Sequence, residues 1–251
     1  MTSDPVLLHA GNPSPLTGRG NNTWLIDGAL PTLIDAGVGA PDHLDAISEA
    51  LGGRPLARVL VTHGHADHAS GVPALRERWP RLDVFKWPQP GEPGSQPLSD
   101  GQTLRAGNGE LSVLHTPGHA GDHVCFWNPG TRHLFAGDMV VAGTTVMIPA
   151  GRGGNLREYL GSLRRLKALG ASRIYPGHGP VIDRPSDIID EYLAHRDLRE
   201  RQILACLRDG LTDPDLMVDR IYAGLDEKLR QAARLTVEAH LEKLREEGRA
   251  S

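Results

Sequence analysis

Four side chains able to hold a metal ion fall within six residues, in His63-Gly64-His65-Ala66-Asp67-His68. Imidazole nitrogen and carboxylate oxygen are the ligands that zinc takes up in four-coordinate shells. In an extended or turning segment His63 and His65 point the same way, and Asp67 and His68 then turn towards a neighbouring position. One loop can therefore serve two adjacent ions, and three further ligands are needed to fill both shells. His119, Asp138 and His178 supply them, in Thr116-Pro117-Gly118-His119, Phe135-Ala136-Gly137-Asp138 and Tyr175-Pro176-Gly177-His178. Each follows an apolar run, and each is preceded by Gly, which lets the backbone turn sharply. The repeated context predicts one shared site at the edge of a sheet, suited to metal-assisted hydrolysis.

The other histidines are His9, His43, His115, His123, His133, His195 and His240. They lack this context and read as structural or surface residues, with His123 near enough to His119 to approach the metals. Thr144-Thr145 and Arg152 lie in a Gly-rich loop after Asp138, read first as an ordinary loop and second as a source of substrate contacts.

The elements that must position these residues follow from hydrophobic period. Apolar runs on either side of Asp27-Gly28 signal a hairpin. Leu44, Ile47 and Leu51 have helical spacing over 42–51, closed by Gly52. Val59-Leu60-Val61-Thr62 is a short buried strand that delivers the chain into the histidine cluster, and a helix continues over 74–79. Strands are predicted over 82–85, 111–115, 123–127 and 133–135. Asn155 caps a helix carrying Leu160, Leu163, Leu166 and Leu169 and stopped by Gly170. The last strand, over 173–175, ends at Pro176-Gly177-His178. From Ser186 onward the pattern is helical. Ser186 is placed as the cap of a helix holding Ile188, Ile189, Tyr192 and Leu193 and ending near Gly210. Asp213-Pro214 opens a short helix, and a third covers 226–247 before Gly248. Strands alternating with helices, then helices alone, predict an α/β layered domain over 1–185 and a small all-α domain over 186–251.

The composition is that of a globular chain of 251 residues, 39% hydrophobic and 23% charged, long enough for one large domain. Aromatics are only 4%, so the core must rest on Leu, Val, Ile and Ala. Residues 186–251 hold 15 acidic and 11 basic groups, which accounts for the whole net charge of -4. Neither part carries the basic footprint of a nucleic-acid binder. Cys125 and Cys206 stand far apart, as in a reducing compartment. The N-terminus has no basic-then-apolar leader, and there is no run of about 18 apolar residues. A soluble, cytoplasmic protein without membrane partners is expected.

The HxHxDH motif at 63–68, with the later TPGH, GD and PGH motifs, resembles the metallo-β-lactamase superfamily over about 20–182. That resemblance implies an αββα sandwich with its metals at one edge of the paired sheets. It assigns His63, His65 and His119 to one zinc and Asp67, His68 and His178 to a second, with Asp138 bridging both. Iron and manganese suit the same nitrogen-and-oxygen shells.

A closer likeness covers nearly the whole chain. Asn12-Pro13-Ser14-Pro15-Leu16-Thr17-Gly18, Asn21-Asn22-Thr23-Trp24-Leu25-Ile26, Gly143-Thr144-Thr145-Val146 and His195-Arg196 are similar to the β-lactamase-like protein 2, glyoxalase II-like group. So is the stretch from Thr236 to Leu244, which looks like the recognition helix of a winged-helix domain. The group implies single-strand endoribonuclease activity in its animal members, and related sequences act as thioesterases on carrier-bound acyl chains. Gly64 stands where many relatives have a bulky aromatic residue, which predicts a more open pocket.

The expected enzyme is a dinuclear metal-dependent hydrolase. A metal-bound hydroxide, with Asp67 orienting it, attacks an ester, thioester or lactam-type bond in a small-molecule substrate. The alternatives are single-stranded RNA hydrolysis, weakened by the acidic tail, and a nucleic-acid- or protein-binding role of the C-terminal domain. A β-lactamase proper ranks behind these, because such enzymes usually lack a ligand at positions like His68 and Asp138.

Overall fold

The computed structural model describes residues 4–13, 18–89, 94–151 and 153–250. Its layers follow from strands that are apolar on both faces. Strands β2 (Asn22–Ile26), β3 (Thr32–Ile34), β4 (Arg58–Leu60) and β5 (Asp83–Lys86) point Trp24, Ile34, Leu60 and Phe85 to one side. Their alternate residues Leu25, Leu33, Val59 and Val84 point to the other side, as a period of two requires. Such a sheet needs cover on both faces. Helices α1 (Pro41–Ala50) and α3 (Val72–Arg78) cover one of them through Ile47 and Leu75. With β1 (Val6–His9) and β6 (Gln96–Pro97) at its edges, this sheet runs β1-β2-β3-β4-β5-β6.

The second sheet contains β7 (Thr103–Ala106), β8 (Gly109–His115), β9 (Val124–Asn128), β10 (His133–Gly137) and β11 (Arg173–Pro176), in the order β11-β10-β9-β8-β7. Val113, Val124, Phe126, Phe135 and Tyr175 meet the first sheet. Leu134 and Ile174 face away, against α4 (Leu156–Ala168) and α5 (Pro185–Arg208). Phe126 is fully buried between the sheets, and burial of a side chain that size contributes about 1.5–3 kcal/mol. The result is an αββα sandwich.

Beyond it, α6 (Pro214–Ile221) and α7 (Glu227–Glu246) pack with the end of α5 around Ile203, Cys206, Met217, Val218, Val237 and Leu241. The first half of α5 instead gives Ile189 and Tyr192 to the sandwich core. One helix thus belongs to two cores. Among the described residues, no strand follows β11, and no helix is long and apolar enough to cross a membrane.

Two local expectations need correction. Ser186 is not the cap of α5: the helix opens on Pro185, and the flanking Arg184 makes no side-chain cap bond. Proline at the first position has no N–H to be capped, so the start shifts upstream. Strands β1, β6 and β7 were not expected. β1 and β6 are short edge strands with mostly exposed side chains, so they lack the apolar contrast that marks a strand; β7 alternates, with Leu104 and Ala106 buried, but over only four residues. Arg152 and Ser14-Pro15-Leu16-Thr17 lie outside the described residues.

Candidate metal centre

Strands β3 and β4 run parallel, as do β10 and β11, and β8 runs in the direction of β10 through two antiparallel pairings. Their C-terminal ends open at one edge of the sandwich. From β4 the chain passes through Thr62 and His63 into the single-turn helix α2 (Ala66–Ala69), which carries Asp67 and His68. His119 follows β8, Asp138 follows β10 and His178 follows β11. All seven expected residues are brought together. Donor atoms of His63, His65 and His119 lie within 4.8 Å of one another, as do those of Asp67, His68 and His178, and those of His63, His68 and Asp138.

Asp138 stands between the two trios. One of its oxygens is 3.4 Å from His68 Nε2. The other is 3.7 Å from His119 Nε2 and 3.4 Å from His178 Nε2.

The glycines act in two ways. Gly137 has φ +46°, and a Cβ there would come within 2.7 Å of His123 Nε2 and 2.8 Å of Thr62 Oγ1. Gly177 needs no unusual φ. Its missing Cβ leaves room for Asp138 Oδ1 and His68 Cε1, which a Cβ would meet at 2.5 and 2.7 Å. At Gly64 a Cβ would meet Asp122 Oδ2 at 3.0 Å and Lys86 Nζ at 3.3 Å.

Hydrogen-bond partners fix three of the imidazoles. The Thr62 hydroxyl donates to Asp35, so at 3.0 Å it accepts from His63 Nδ1–H. His68 Nδ1–H donates to the Asp35 carboxylate at 2.7 Å. His119 Nδ1–H donates to the Met147 carbonyl at 2.9 Å. In each ring Nε2 is then the nitrogen turned inward. Nε2 of His63 and of His119 lie 2.9 and 3.0 Å from the same atom, His65 Nδ1. A proton on His65 can satisfy one of these lone pairs and leaves the other facing it. A cation satisfies all three, and nitrogens at zinc-ligand distance in a tetrahedral shell stand roughly 3.3 Å apart. His68 Nε2 and Asp138 Oδ1 are likewise buried without a hydrogen-bond partner among the described residues. The donor set fits metal ions.

The electrostatics separate the two halves. Burial, then His68 and His123, hold His63 well below the usual histidine range, and burial likewise lowers His65. Both are neutral imidazoles at neutral pH. Burial also opposes charge on His68 and His178, but the carboxylates outweigh it. Asp138 and Asp35 hold His68 well above its usual range, and the hydrogen bonds that His178 donates to Asp138 and Asp67 push it up to about 9. Burial raises Asp138, and His68 and His178 overcome this to hold it well below the usual range. Protons here occupy the positions that a cation would take.

Several supporting residues were not read from the sequence. Asp35 adopts φ +64° just beyond β3 and is all but buried. A non-glycine residue held there costs about 1–3 kcal/mol, offset by the bonds it accepts from the Thr62 amide (2.7 Å), the Thr62 hydroxyl (2.9 Å) and His68. Asn21 donates to the Asp67 carbonyl. Asn22 Nδ2 donates to the carbonyls of Pro176 and Gly179 at 3.0 and 2.9 Å, pinning the turn that carries His178. His123 is fully buried and accepts from the Asp138 amide at 3.2 Å, so it positions a proposed ligand. The Asn21-Asn22-Thr23-Trp24 motif was the one available signal for part of this set.

A sandwich with histidines and aspartates gathered at its strand ends defines a metal-dependent hydrolase. Residues 16–178 match the metallo-beta-lactamase superfamily, and residues 214–251 match the beta-lactamase associated winged helix domain. The chain belongs to the metallo-beta-lactamase superfamily. It is 33% identical to the beta-lactamase-like protein 2 homolog of Caenorhabditis elegans, over 98% of this chain and 86% of that one. It is 36% identical to the atrochrysone carboxyl ACP thioesterase of Aspergillus chevalieri, over 84% of this chain and 68% of that one. The metallo-beta-lactamase family protein TTHA1429 from Thermus thermophilus superposes with a TM-score of 0.81 at 26% identity, covering 98% of this chain and 94% of that one.

Proposed function

We propose that the chain is a dinuclear metal hydrolase acting on thioester or ester bonds of a small-molecule substrate. His63, His65 and His119 hold one metal, Asp67, His68 and His178 hold the second, and Asp138 is shared. The observation that carries this reading is the pair of inward lone pairs, on His63 and His119, aimed at one nitrogen of His65. The donor chemistry suits zinc, with iron and manganese as alternatives.

Bound metals would acidify a shared water and offset the charge that develops on the attacked group. The protein's own part is positional. Asp67 has 27% of its side chain exposed, against 13% for Asp138, so Asp67 is the carboxylate that solvent reaches. Beside its place among the second metal's ligands, it would orient the attacking water. Thr62, Asp35 and Met147 engage Nδ1 of His63, His68 and His119, which turns the Nε2 side of each ring towards the centre.

The thioester preference is supported by the Aspergillus relative, which is named as a thioesterase. The ribonuclease reading is opposed by the tail itself. Arg230 pairs with Asp219, Arg234 with Asp215 and Glu238, and Lys243 and Arg249 with Glu200 and Glu247, so several of its cations are already neutralised by carboxylates. The division into units at 1–185 and 186–251 is supported by the separate core around Val237. A reducing, cytoplasmic setting is supported by Cys125 and Cys206, both buried free thiols.

The test is a panel run on zinc-loaded protein: a thioester, a lactone, nitrocefin, a phosphodiester and single-stranded RNA, with Asp67→Ala as control. Thioester turnover that chelation abolishes and zinc restores is expected. Turnover confined to RNA, or turnover equal in Asp67→Ala, overturns the reading.

A further inference from the structure

We propose that the cleft beside His178 receives the acyl chain of the substrate, and that Val141 and Ala142 limit how long that chain is. This rests on the thioester reading above.

The cleft has a volume of about 680 Å³; Leu7, Val141, Ala142 and Pro180 give it an aliphatic wall, His9, Arg19 and Asn22 a polar one, and the proposed ligand His178 lines it as well. Pockets of roughly 300–1,000 Å³ hold small-molecule ligands. Nε2 of His178 lies 3.3 Å from Asp67 and 3.4 Å from Asp138, so through His178 the cleft adjoins the donor cluster. A chain lying in it presents its first carbon to the reacting centre. Leu7, on the edge strand β1, leaves 38% of its surface in water at the rim. An apolar side chain there gains from a hydrocarbon laid against it.

The opposite wall is held rigid. The Tyr192 hydroxyl on α5 accepts from the Val141 amide at 3.1 Å, and the carbonyls of Val141 and Thr144 lie 2.9 and 2.7 Å from it as acceptors. A wall fixed at both ends measures length; a floppy one adapts to it. The aliphatic lining also decides which half of the substrate enters. The leaving half of a carrier-bound acyl group is polar: His9 and Arg19 can meet such groups, but against Leu7, Val141, Ala142 and Pro180 its hydrogen-bonding groups would be stranded, so this wall suits the acyl half. The acyl half loses nothing there. In the reaction the acyl C–S bond breaks and a C–O bond to water forms. One proton of the water ends on the thiol, and the products are a carboxylic acid and a thiol.

The test uses zinc-loaded full-length protein and acyl-coenzyme A thioesters from acetyl to dodecanoyl. kcat/KM is expected to rise about threefold per added methylene, within the ~0.8 kcal/mol that burying one supplies, and then to stop at a limiting length. Ala142→Phe, at a half-buried wall position, should lower the dodecanoyl-to-acetyl ratio at least tenfold. Leu7→Ser, at the exposed rim, tests the same cleft with little risk to folding and should lower that ratio severalfold. A binding readout stands apart from turnover. In titration calorimetry dodecanoate should bind more tightly than hexanoate, and Ala142→Phe should erase the difference. Good turnover with a flat chain-length profile, or ratios unmoved in both variants, overturns the acyl cleft and leaves the hydrolase reading intact. No turnover of any thioester, with another panel substrate hydrolysed, overturns the thioester reading on which it rests.

Discussion

Asp35 Oδ2 lies 2.7 Å from Nδ1 of His68, and neither side chain has more than 2% of its surface exposed. The same carboxylate accepts from the Thr62 amide and hydroxyl, and Thr62 in turn accepts from His63. One aspartate therefore orients an imidazole in each proposed metal shell. Outer partners of this kind fix ring orientation and raise ligand basicity, and their loss typically costs 10–100-fold in metal affinity. Asp35→Asn should weaken metal binding by that order in a competitive chelator titration. Wild-type affinity in this variant would show that the contact is incidental to the metals.

Metal counting tests the division of ligands. Wild-type protein should carry two ions per chain by elemental analysis. His119→Ala and His178→Ala should each fall towards one, and each should have less than a hundredth of wild-type turnover. Two ions retained in both variants would dismiss the assignment. Stripping the metals should also lower the melting temperature, because a ligand at a thousand times its Kd stabilises by about 4 kcal/mol.

The turn before Asp138 is sensitive to a single methyl group. Gly137→Ala places a Cβ within 3 Å of His123 and Thr62 at a positive φ, costing about 1–3 kcal/mol of stability. Turnover should fall by more than that destabilisation accounts for, because Asp138 moves with the turn. Gly210→Ala has a similar φ of +77° with no atom within 4 Å of the added group. It should lose about 1 kcal/mol in urea unfolding and keep its activity. Equal activity in the two variants would refute the argument.

Acid sensitivity should come partly from His43. Its ring is buried, and burial lowers its pKa from 6.5 to about 4. Nε2 lies 2.7 Å from Thr23 Oγ1, and buried Nδ1 has no hydrogen-bond partner among the described residues to receive a second proton's charge. The unfolded chain takes up this proton near pH 6.5, and the folded chain does so only near 4. The stabilisation is therefore complete above 6.5 and is lost as pH falls towards 4, by roughly 3 kcal/mol at most. His43→Gln keeps a donor near Thr23 and removes the titration. Its urea midpoint should change less between about pH 7 and 5 than that of the wild type. An unchanged pH dependence would exclude His43 as the cause.

What the sequence made legible was what its local pattern encodes. The α/β order, the hairpin at Asp27-Gly28 and the helices capped by Asn155, Asp213 and Asp226 all have signals within a few residues. The seven candidate ligands stood out because each sits beside a glycine or inside one short motif. Asp35 did not, since its partner His68 is 33 residues away and nothing near Asp35 announces the pairing. His123 looked like a strand residue, and its ring meets the backbone of Asp138 only after β9 and β10 have paired. Tyr192 read as one more apolar position of a helix, while its hydroxyl reaches a loop 51 residues earlier. Supporting contacts of this kind are made by topology, which a linear pattern does not carry.

The long helix α5 anchors the Val141–Thr144 loop at Tyr192 and the C-terminal bundle at Ile203 and Cys206. The two ends of that one rod are mechanically joined, so a force or a partner that tilts the bundle also tugs the wall beside the reaction centre. The C-terminal helices are therefore no detachable appendage. They share one helix with the loop at Val141, and a chain shortened behind α5 would leave that helix without its second core.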